Sequence, residues 1–263
     1  MSYPIPLTDR ALIAVTGPDW RGFLQGLVSQ DMETLRPGEL RYGLLLSPQG
    51  RILFDLFLLG EPDGCLIDCP ANGREALIQR LTLYRLRAKV ALNPDDRAVS
   101  AMFEGTPPEA GWIADPRLPA LGWRAYGRAD PGEADLGQYD ARRLKLGVPG
   151  PADWGSDQLY ALEADLDLLG AIDFHKGCFI GQEIASRMKR RGQIKSRTLP
   201  IVFDGPAPPH GTEIRSGEHR AGEVLSGRDG RALALIRLDR IADGDLSAAG
   251  RPVKIEQPGW LTL

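Results

Sequence analysis

The chain has 263 residues, three cysteines, a formal net charge of −3, and 43% hydrophobic and 25% charged residues. This composition is ordinary for a soluble globular protein, and the acidic balance argues against nucleic-acid binding by bulk charge, although it allows a local basic patch. No apolar run approaches the roughly 20 residues that span a bilayer, residues 1–17 lack a secretion signal, and an odd cysteine count makes no disulfide framework, so we expect a cytosolic protein without a membrane partner.

Two helices and a β-hairpin are predicted in the chain up to Val90. The apolar spacing and the turn signals give, in chain order, a helix at 17–31, a hairpin at 41–61, a strand at 64–70 and a helix at 72–90. Asp19 is placed to cap the first helix, and the turn-forming residues 47–50 join the two hairpin strands. Residues 93–137 are rich in Pro, Gly, Asp and Glu, which predicts a loop-rich region with short strands.

The rest of the chain predicts further helices followed by a barrel. Residues 155–174 have a pattern that is first helical and then extended, and residues 181–191 predict a helix that ends at Gly192. From Ser196 onwards, short alternating segments are separated by Gly, Pro and Asp, which is typical of a small β-barrel. We therefore expect an α+β fold with a C-terminal β-barrel.

The sequence lacks the common motifs of nucleotide-binding, metalloprotease and hydrolase sites, and its three histidines are scattered. Cys65 and Cys69 form a C-x-x-x-C pair that, together with Cys178, offers three thiols for an iron–sulfur cluster. In a strand, however, residues four apart lie about 13 Å from each other, which is too far to ligate one cluster without a bend. We therefore expect no permanently bound metal.

Cys178 lies in the segment KGCFIGQE, which covers residues 176–183. Gly177 and Gly181 allow tight turns on either side of it, and the helix that follows directs the positive end of its dipole at the thiol. Together with the cation of Lys176, this position favours the thiolate and would lower the pKa of the thiol. A free cysteine is also commonly a small buried residue packed under a turn, and the local sequence leaves both interpretations open.

Two charged features are candidates for ligand binding. Residues 187–197 contain six basic side chains and no acid, which indicates either a solvated helix face or a site for an anion such as a phosphate backbone or a multiply carboxylated ligand. Glu163 stands in an apolar stretch. It is either a helix-surface residue or a partly buried acceptor for a flat ligand with paired N–H donors, an edge that pterins have.

The segment KGCFIGQE resembles the signature of the YgfZ-type folate-binding proteins, relatives of the glycine-cleavage T-protein that act in iron–sulfur cluster assembly or repair and are also described as tRNA-modifying proteins. LEA at residues 162–164, LLLSPQGRILFDL and AGEVLSG are similar to other segments of that family. The resemblance implies a T-protein-like arrangement of three subdomains around a central, folate-sized cavity. We expect residues 1–40 and 138–195 to form a discontinuous folate-binding body, residues 41–137 an inserted α+β lobe, and residues 196–263 the barrel.

The resemblance also implies roles for the candidate residues. The cofactor would be tetrahydrofolate, with Glu163 holding the pterin and the basic helix holding the glutamate tail, a polyanion when polyglutamylated. The implied cofactor-binding residues are Glu163, Lys176, Gly177, Gln182, Arg187, Lys189 and Arg190. Cys178 would lie near the reactive face of the folate and serve cluster maturation.

Asp55 is the one acid that remains where the T-protein has a pair of adjacent acids, one of them catalytic. This departure weighs against aminomethyl transfer, so a folate-dependent aminomethyltransferase or demethylase is the alternative function, with Cys178 and Asp55 as candidate catalytic residues. The expected partners are folate and iron–sulfur client or assembly proteins. tRNA is a less favoured partner because the chain is acidic.

Overall fold

The computed structural model describes residues 4–103, 110–127, 135–192, 194–243 and 245–262. Within these ranges the chain forms two open sheets, a closed barrel and five α-helices. The strands are β1 (Ile5–Pro6), β2 (Arg10–Thr16), β3 (Leu40–Leu46), β4 (Ile52–Glu61), β5 (Gly64–Pro70), β6 (Ala91–Asp95), β7 (Val99–Met102), β8 (Trp112–Ala114), β9 (Trp123–Tyr126), β10 (Ser196–Val202), β11 (Glu213–Ser216), β12 (His219–Arg228), β13 (Arg231–Arg237), β14 (Leu246–Ala248) and β15 (Arg251–Ile255). The helices are α1 (Trp20–Gln25), α2 (Arg74–Arg85), α3 (Leu136–Leu146), α4 (Pro151–Trp154) and α5 (Gln182–Arg191).

The larger open sheet is antiparallel and has the strand order β3-β4-β5-β2-β6. Because side chains alternate along a strand, each strand directs one set of residues to each face of the sheet. One face is apolar, and its buried residue Ile67 shares a core cluster with Leu77 and Leu81 of α2. The opposite face contributes Leu12 and Phe57 to a second core cluster.

A four-stranded antiparallel sheet, in the order β1-β7-β9-β8, packs on this opposite face. Val99 and Ala101 of β7 belong to the same core cluster as Leu12, and the Arg124 side chain of β9 reaches Asp68 of β5 at 2.6 Å. The interface between the two sheets therefore combines apolar packing with buried ion pairs.

The C-terminal strands close into a six-stranded barrel, in the order β10-β13-β12-β11-β14-β15. Apolar side chains such as Leu199, Ile214 and Ile236 fill its interior, as expected for a small barrel. The predictions of an α+β fold and of a C-terminal barrel are confirmed. The sequence pattern does not predict β14, because its three residues are too few to show an alternation of apolar and polar side chains.

The helices predicted at 17–31 and 72–90 are present as α1 and α2, but each is shorter than the apolar pattern that predicts it. α2 ends because Leu86 adopts φ 45° and ψ −107°, which cannot continue a helix. Asp19 precedes α1 without capping it, since its carboxylate accepts a hydrogen bond from the backbone N–H of Lys89 at 2.7 Å.

The expectation of a helix within residues 155–174 is wrong, because the apolar spacing there arises from a series of tight turns. The backbone N–H of Leu166 donates to the carbonyl oxygen of Ala161 at 2.9 Å, one of several such bonds. Asp165 has φ 56°, in the left-handed region, which interrupts a right-handed helix. Leu162 and Leu166 are fully buried, so the apolar pattern records burial rather than a helix.

The strand pairing of the larger sheet crosses the predicted boundary between the body segment 1–40 and the lobe 41–137. β2, which lies in the predicted body segment 1–40, pairs with β5 and β6, which both lie in the predicted lobe at 41–137. The larger sheet thus draws strands from both sides of this boundary, whereas all six barrel strands lie inside residues 196–263. Residues 104–109 and 128–134 of the predicted lobe lie outside the described residues.

The segment of residues 93–137, predicted to be loop-rich, supplies three strands of the four-stranded sheet. Two of its charged residues, Arg117 and Arg124, are buried. This segment therefore contributes to the interior of the molecule. Among the described residues, no helix has both the length and the apolar character needed to cross a bilayer.

Candidate functional site

Five of the nine predicted site residues line one of two separate concavities. An open groove at the N-terminus of α5, here called the thiol groove, is lined by Tyr84, Phe174, Cys178, Gln182, Lys189 and Arg190, among others. A second space, here called the central cavity, lies between the two open sheets and α3 and is lined by Arg10, Asp55, Phe57, Arg117, Arg124 and Tyr139, among others. Cys178 and Asp55, the two candidate catalytic residues, are therefore not brought together.

Cys178 is exposed in the thiol groove, which has a volume of about 980 Å³. Phe174, Phe179 and Ile180 supply apolar surface to the groove. A partner molecule can therefore reach the sulfur of Cys178. This exposure does not agree with the alternative interpretation of Cys178 as a small residue packed under a turn.

Two glycines fix the junction that presents Cys178. Gly181 has φ 82°, and a Cβ atom on it would lie 2.7 Å from the carbonyl oxygen of Ser47, so glycine is required. A Cβ atom on Gly50, which has φ 79°, would lie 2.8 Å from the Cβ of Ile184 in α5. The turn between β3 and β4 therefore packs directly on the start of α5, and Cys178 is held at this junction.

Lys176 is bonded to the backbone of its own chain, and its predicted contact with a ligand stays a prediction. Its ammonium donates hydrogen bonds to the backbone carbonyl oxygens of Gln25, Val28 and Gln30, at 2.7, 2.7 and 2.8 Å. These bonds use all three N–H groups of the ammonium. Burial lowers the pKa of Lys176 to about 8. Its neighbour Gly177 is exposed, and a Cβ atom there would meet no other group within 4 Å.

The substitution Lys176→Met is expected to lower the free energy of unfolding by about 2–4 kcal/mol, because three carbonyl oxygens lose a charged donor. Urea denaturation followed by circular dichroism measures this change. Lys195→Met is the matched control because Lys195 is exposed, and its unfolding free energy should stay within about 0.5 kcal/mol of the parent. Equal effects of the two substitutions would show that the three bonds do not stabilise this segment.

The basic residues of α5 do not form a single anion site. Arg187 pairs with Glu183 one turn earlier, and Lys189 lies 3.5 Å from Asp167. Arg190 donates to a backbone carbonyl oxygen at 3.3 Å. Of the described residues in the basic run, Lys189 and Arg190 line the thiol groove.

Arg197, the last of the basic run, is buried in an ion-pair cluster. Its Nη1 atom donates to Asp165 at 2.8 Å and to Asp167 at 3.0 Å. Burial raises the pKa of Asp165 to about 7, and one of its carboxylate oxygens has no hydrogen-bond partner among the described residues. Because Asp167 also lies close to Lys189, the cluster connects β10, the turn segment and α5.

The central cavity has a volume of about 300 Å³ and a wall of buried ion pairs. Arg10 pairs with Asp55 at 3.0 Å and with Asp68 at 2.6 Å, and Arg124 pairs with Asp68 at 2.6 Å. Burial raises the pKa of Asp68, but the guanidinium groups of Arg10 and Arg124 outweigh this effect and hold the pKa below its usual value. Asp68 is therefore the anion that two arginines of the cavity lining, Arg10 and Arg124, share.

A fourth ion pair, between Arg117 and Asp115 at 2.7 Å, adjoins these three. Arg117 also donates to the hydroxyl oxygen of Tyr139 at 2.6 Å. Both carboxylate oxygens of Asp55 accept from Nη1 of Arg10, at 3.1 and 3.0 Å. A carboxylate that is neutralised in this way is poorly placed to polarise a substrate amine, so the geometry does not favour the catalytic role predicted for Asp55.

Glu163 lines neither the thiol groove nor the central cavity, as far as the described residues show. Its Oε2 atom accepts a hydrogen bond from the backbone N–H of Tyr160 at 3.1 Å, and its carbonyl oxygen accepts from the N–H of Thr198 at 2.8 Å. Burial raises the pKa of Glu163. Its role as a pterin acceptor stays a prediction.

Cys65 and Cys69 are fully buried in β5, in the core between the larger sheet and its two helices. Burial raises the pKa of both thiols, that of Cys69 to about 12. Within the described parts of the chain, no group of three or more His, Cys, Asp or Glu side chains is placed to hold a metal ion.

Sequence reasoning missed three arginines that line the central cavity, Arg10, Arg117 and Arg124. It also missed Asp68 and Asp115, the carboxylates that pair with them. A signal was present, because Asp68 is the single charge of β5 and Asp55 is the single charge of β4 apart from its last residue, Glu61. A buried charge must be paired. The partners come from β2 and from the segment of residues 93–137, which the sequence pattern does not connect to these strands.

Comparisons with known proteins agree with this architecture. Residues 195–263 match the family model of the CAF17 C-terminal beta-barrel domain. The iron–sulfur cluster assembly factor IBA57, mitochondrial, of Homo sapiens is 31% identical over 276 residues, which cover 89% of this chain and 77% of that protein. The mitochondrial IBA57 homologue of Coccidioides immitis is 31% identical over 253 residues, which cover 81% of this chain and 60% of that protein.

A solved structure with a similar fold is the glycine cleavage system aminomethyltransferase T from Bartonella henselae. The TM-score is 0.80 at 16% sequence identity, over 99% of this chain and 86% of that chain. The predicted T-protein-like fold is thereby confirmed. The expectation of a cytosolic protein is wrong, because the two assembly factors to which this chain is similar are named as mitochondrial proteins.

Proposed function

The chain belongs to the family of the iron–sulfur cluster assembly factor IBA57, and from this we propose that it acts in the assembly of iron–sulfur clusters, with Cys178 as its working group. The resemblance of the segment KGCFIGQE to the YgfZ signature supports the same role. The substrate in this proposal is an iron–sulfur cluster or a protein that carries one. The partners are iron–sulfur assembly or client proteins, and four-iron proteins are the proposed clients.

The observation that carries this proposal is the position of Cys178. It is the exposed one of the three cysteines, whereas Cys65 and Cys69 are fully buried. Cys178 lies in the loop four residues before α5 begins, and exposure to solvent is a property that thiol-exchanging and metal-binding cysteines share. The glycine-fixed junction at Gly181 and the ammonium bonds of Lys176 hold the loop that carries this thiol.

A deletion strain tests the assembly role. Cells without this protein are expected to lose activity of a four-iron enzyme such as aconitase while two-iron enzymes keep theirs, and the parent gene should restore it. Enzyme abundance is followed by immunoblotting, so that loss of activity is distinguished from loss of protein. Equal losses in both classes, or none in either, would contradict the proposal.

We further propose that the central cavity binds tetrahydrofolate. The residues present fit a pterin: Phe57 and Tyr139 supply aromatic surface, and the buried hydroxyl of Tyr42, beside Phe57, has no hydrogen-bond partner among the described residues. Asp9 also lines the cavity, and no ion pair to it exists within the described chain. A volume of about 300 Å³ lies at the lower end of small-ligand sites.

Two carboxylates can be compared as pterin acceptors by titration calorimetry with tetrahydrofolate. Asp9→Asn is expected to weaken binding about tenfold or more, since a carboxylate that accepts from the pterin edge is lost. Glu163→Gln is expected to change the affinity by less than about threefold. Glu163 does not line the central cavity, and its carboxylate accepts a hydrogen bond from the backbone N–H of Tyr160. The opposite order would restore Glu163 as the pterin ligand, and an absence of binding to the parent would remove the folate proposal.

Aminomethyl transfer has less support as the function. The fold of the aminomethyltransferase is present, but the acid at the corresponding place, Asp55, is neutralised by Arg10. A chain with this wall can bind a folate, but it does not offer a free carboxylate at the position of Asp55, which is where the transfer requires one. Production of methylene-tetrahydrofolate from an amine donor, abolished by Asp55→Asn but not by Cys178→Ala, would reverse this conclusion.

A further inference from the structure

The largest exposed apolar side chains of the described residues occur together at the end of α2. Leu83 is 77% exposed, Tyr84 38% and Leu86 89%. Single exposed apolar residues are normal, but three within four positions form a patch, and such patches commonly mark binding surfaces. We call these three residues the α2 patch.

The backbone at Leu86 is strained. Its φ of 45° and ψ of −107° fall in a region that glycine adopts and that L residues with side chains rarely do. A leucine is thus held in an unfavourable conformation and points its side chain into water. Both features lower stability, and strain of this kind occurs mainly where function requires it.

The α2 patch is continuous with the thiol groove. Tyr84 lines the groove that contains Cys178, and it also lines a second hollow of about 600 Å³ together with Phe23 and Leu86. Apolar surface therefore extends from Cys178 across Tyr84 to Leu86. A partner that covers the patch would also cover the thiol.

Positive charge predominates around this apolar surface. Arg87, Arg190 and Arg191 are exposed and Arg80 is half-buried, and in the described chain no carboxylate pairs with any of them. Residues 74–89 contain five basic residues and one acidic residue, although the whole chain has a net charge of −3. Charge complementarity therefore selects an acidic partner.

Three other occupants fit less well. A nucleic acid matches the charge but gives no favourable partner for two exposed leucines. A second copy of this chain would place two basic surfaces against each other. A bilayer is flat and leaves the concave groove beside Tyr84 unfilled, whereas a protein with an apolar ridge fills it.

We propose that the α2 patch and the thiol groove together form the docking surface for an acidic protein with an apolar ridge, which is thereby brought to Cys178. This inference rests on the proposed assembly function and specifies its partner. The apolar ridge lies in the groove beside Tyr84, and acidic residues at its edge pair with Arg87 and Arg190.

Leu86→Gly separates docking from folding, because it removes the side chain and the strain together. The variant should unfold at a temperature about 2 °C higher than the parent. In the deletion strain it should nevertheless lower four-iron enzyme activity about fivefold or more, as the loss of a packed interface side chain does. Arg87→Glu should also lower the activity, whereas Lys254→Glu, at an exposed position in the barrel, should not.

Photo-crosslinking identifies the occupant directly. Leu86→benzoylphenylalanine should give, in cells, an adduct whose linked peptide combines apolar and acidic residues, and Arg87→Glu should suppress it. The partner so identified, once purified, should bind the parent in a salt-sensitive way and bind Leu86→Gly less. Co-flotation of the parent with vesicles of phosphatidylcholine and phosphatidylglycerol, lost in Leu86→Gly, would replace the proposal by a membrane contact.

The two levels of the proposal fail in different ways. If Cys178→Ala removes four-iron enzyme activity but Leu86→Gly and Arg87→Glu leave it unchanged, the docking surface is wrong and the assembly function stands. If Cys178→Ala and deletion of the protein also leave the activity unchanged, the assembly function itself is wrong.

Discussion

Replacing Cys178 by alanine is expected to reduce four-iron enzyme activity to the level of the deletion strain, while two-iron enzymes and the abundance of the protein stay unchanged. The thiol is exposed, so its loss removes a reactive group without leaving a cavity, and the stability cost should stay within about 0.5 kcal/mol. Aconitase activity in cells whose only copy carries Cys178→Ala measures the effect.

Ser186→Ala is the matched control for this experiment. Ser186 lines the same groove, so its substitution changes the lining by one oxygen atom and keeps the thiol. Activity near that of the parent is expected. If Cys178→Ala is as active as the parent, in cells where deletion of the protein does cause a loss, the thiol has no role, and Asp55 in the central cavity becomes the next residue to test.

Asp68→Asn is expected to lower the free energy of unfolding by about 3–5 kcal/mol, the cost of breaking a buried ion pair by removing one partner. Asp68 bridges Arg10 and Arg124, both at 2.6 Å, and also accepts from the hydroxyl of Tyr126 at 3.2 Å. An asparagine keeps the shape but turns an N–H group towards one guanidinium and leaves the excess positive charge buried. Urea denaturation of the two proteins measures the difference.

Asp63→Asn, in the exposed turn between β4 and β5, is the matched control and should change the unfolding free energy by less than about 0.5 kcal/mol.

The pH dependence gives a second test. Because the pKa of Asp68 is lowered in the folded protein, its contribution is present above the unfolded pKa of about 3.9 and is lost as the pH falls through the lower folded pKa. The difference between Asp68→Asn and the parent should be constant from neutral pH to about pH 5 and shrink below about pH 4. A difference that does not depend on pH would assign the effect to packing.

Local sequence signals predicted the elements that depend on local chemistry. The turn at residues 47–50 joins β3 to β4, and Gly192 ends α5 with φ 61°, as expected from its glycine. Where a local signal competed with tertiary packing, the prediction was wrong. Residues 155–174 have helical spacing, yet they form turns, because burial of Leu162 and Leu166 does not require a helix.

The candidate sites divide in the same way. The sequence by itself determined the barrel, the α5 helix and a cysteine in front of it. Glycine turns, apolar periodicity and a short motif predict these features, and all three signals depend only on residues that are close together in the chain. Only the tertiary structure decided that Lys176 bonds to three carbonyl oxygens, that Arg10 neutralises Asp55, and that Leu86 and Cys178 share one surface. These contacts join residues that are far apart in the chain, and an ion pair or a buried ammonium depends on the distance in space between its partners, which the order of residues does not specify.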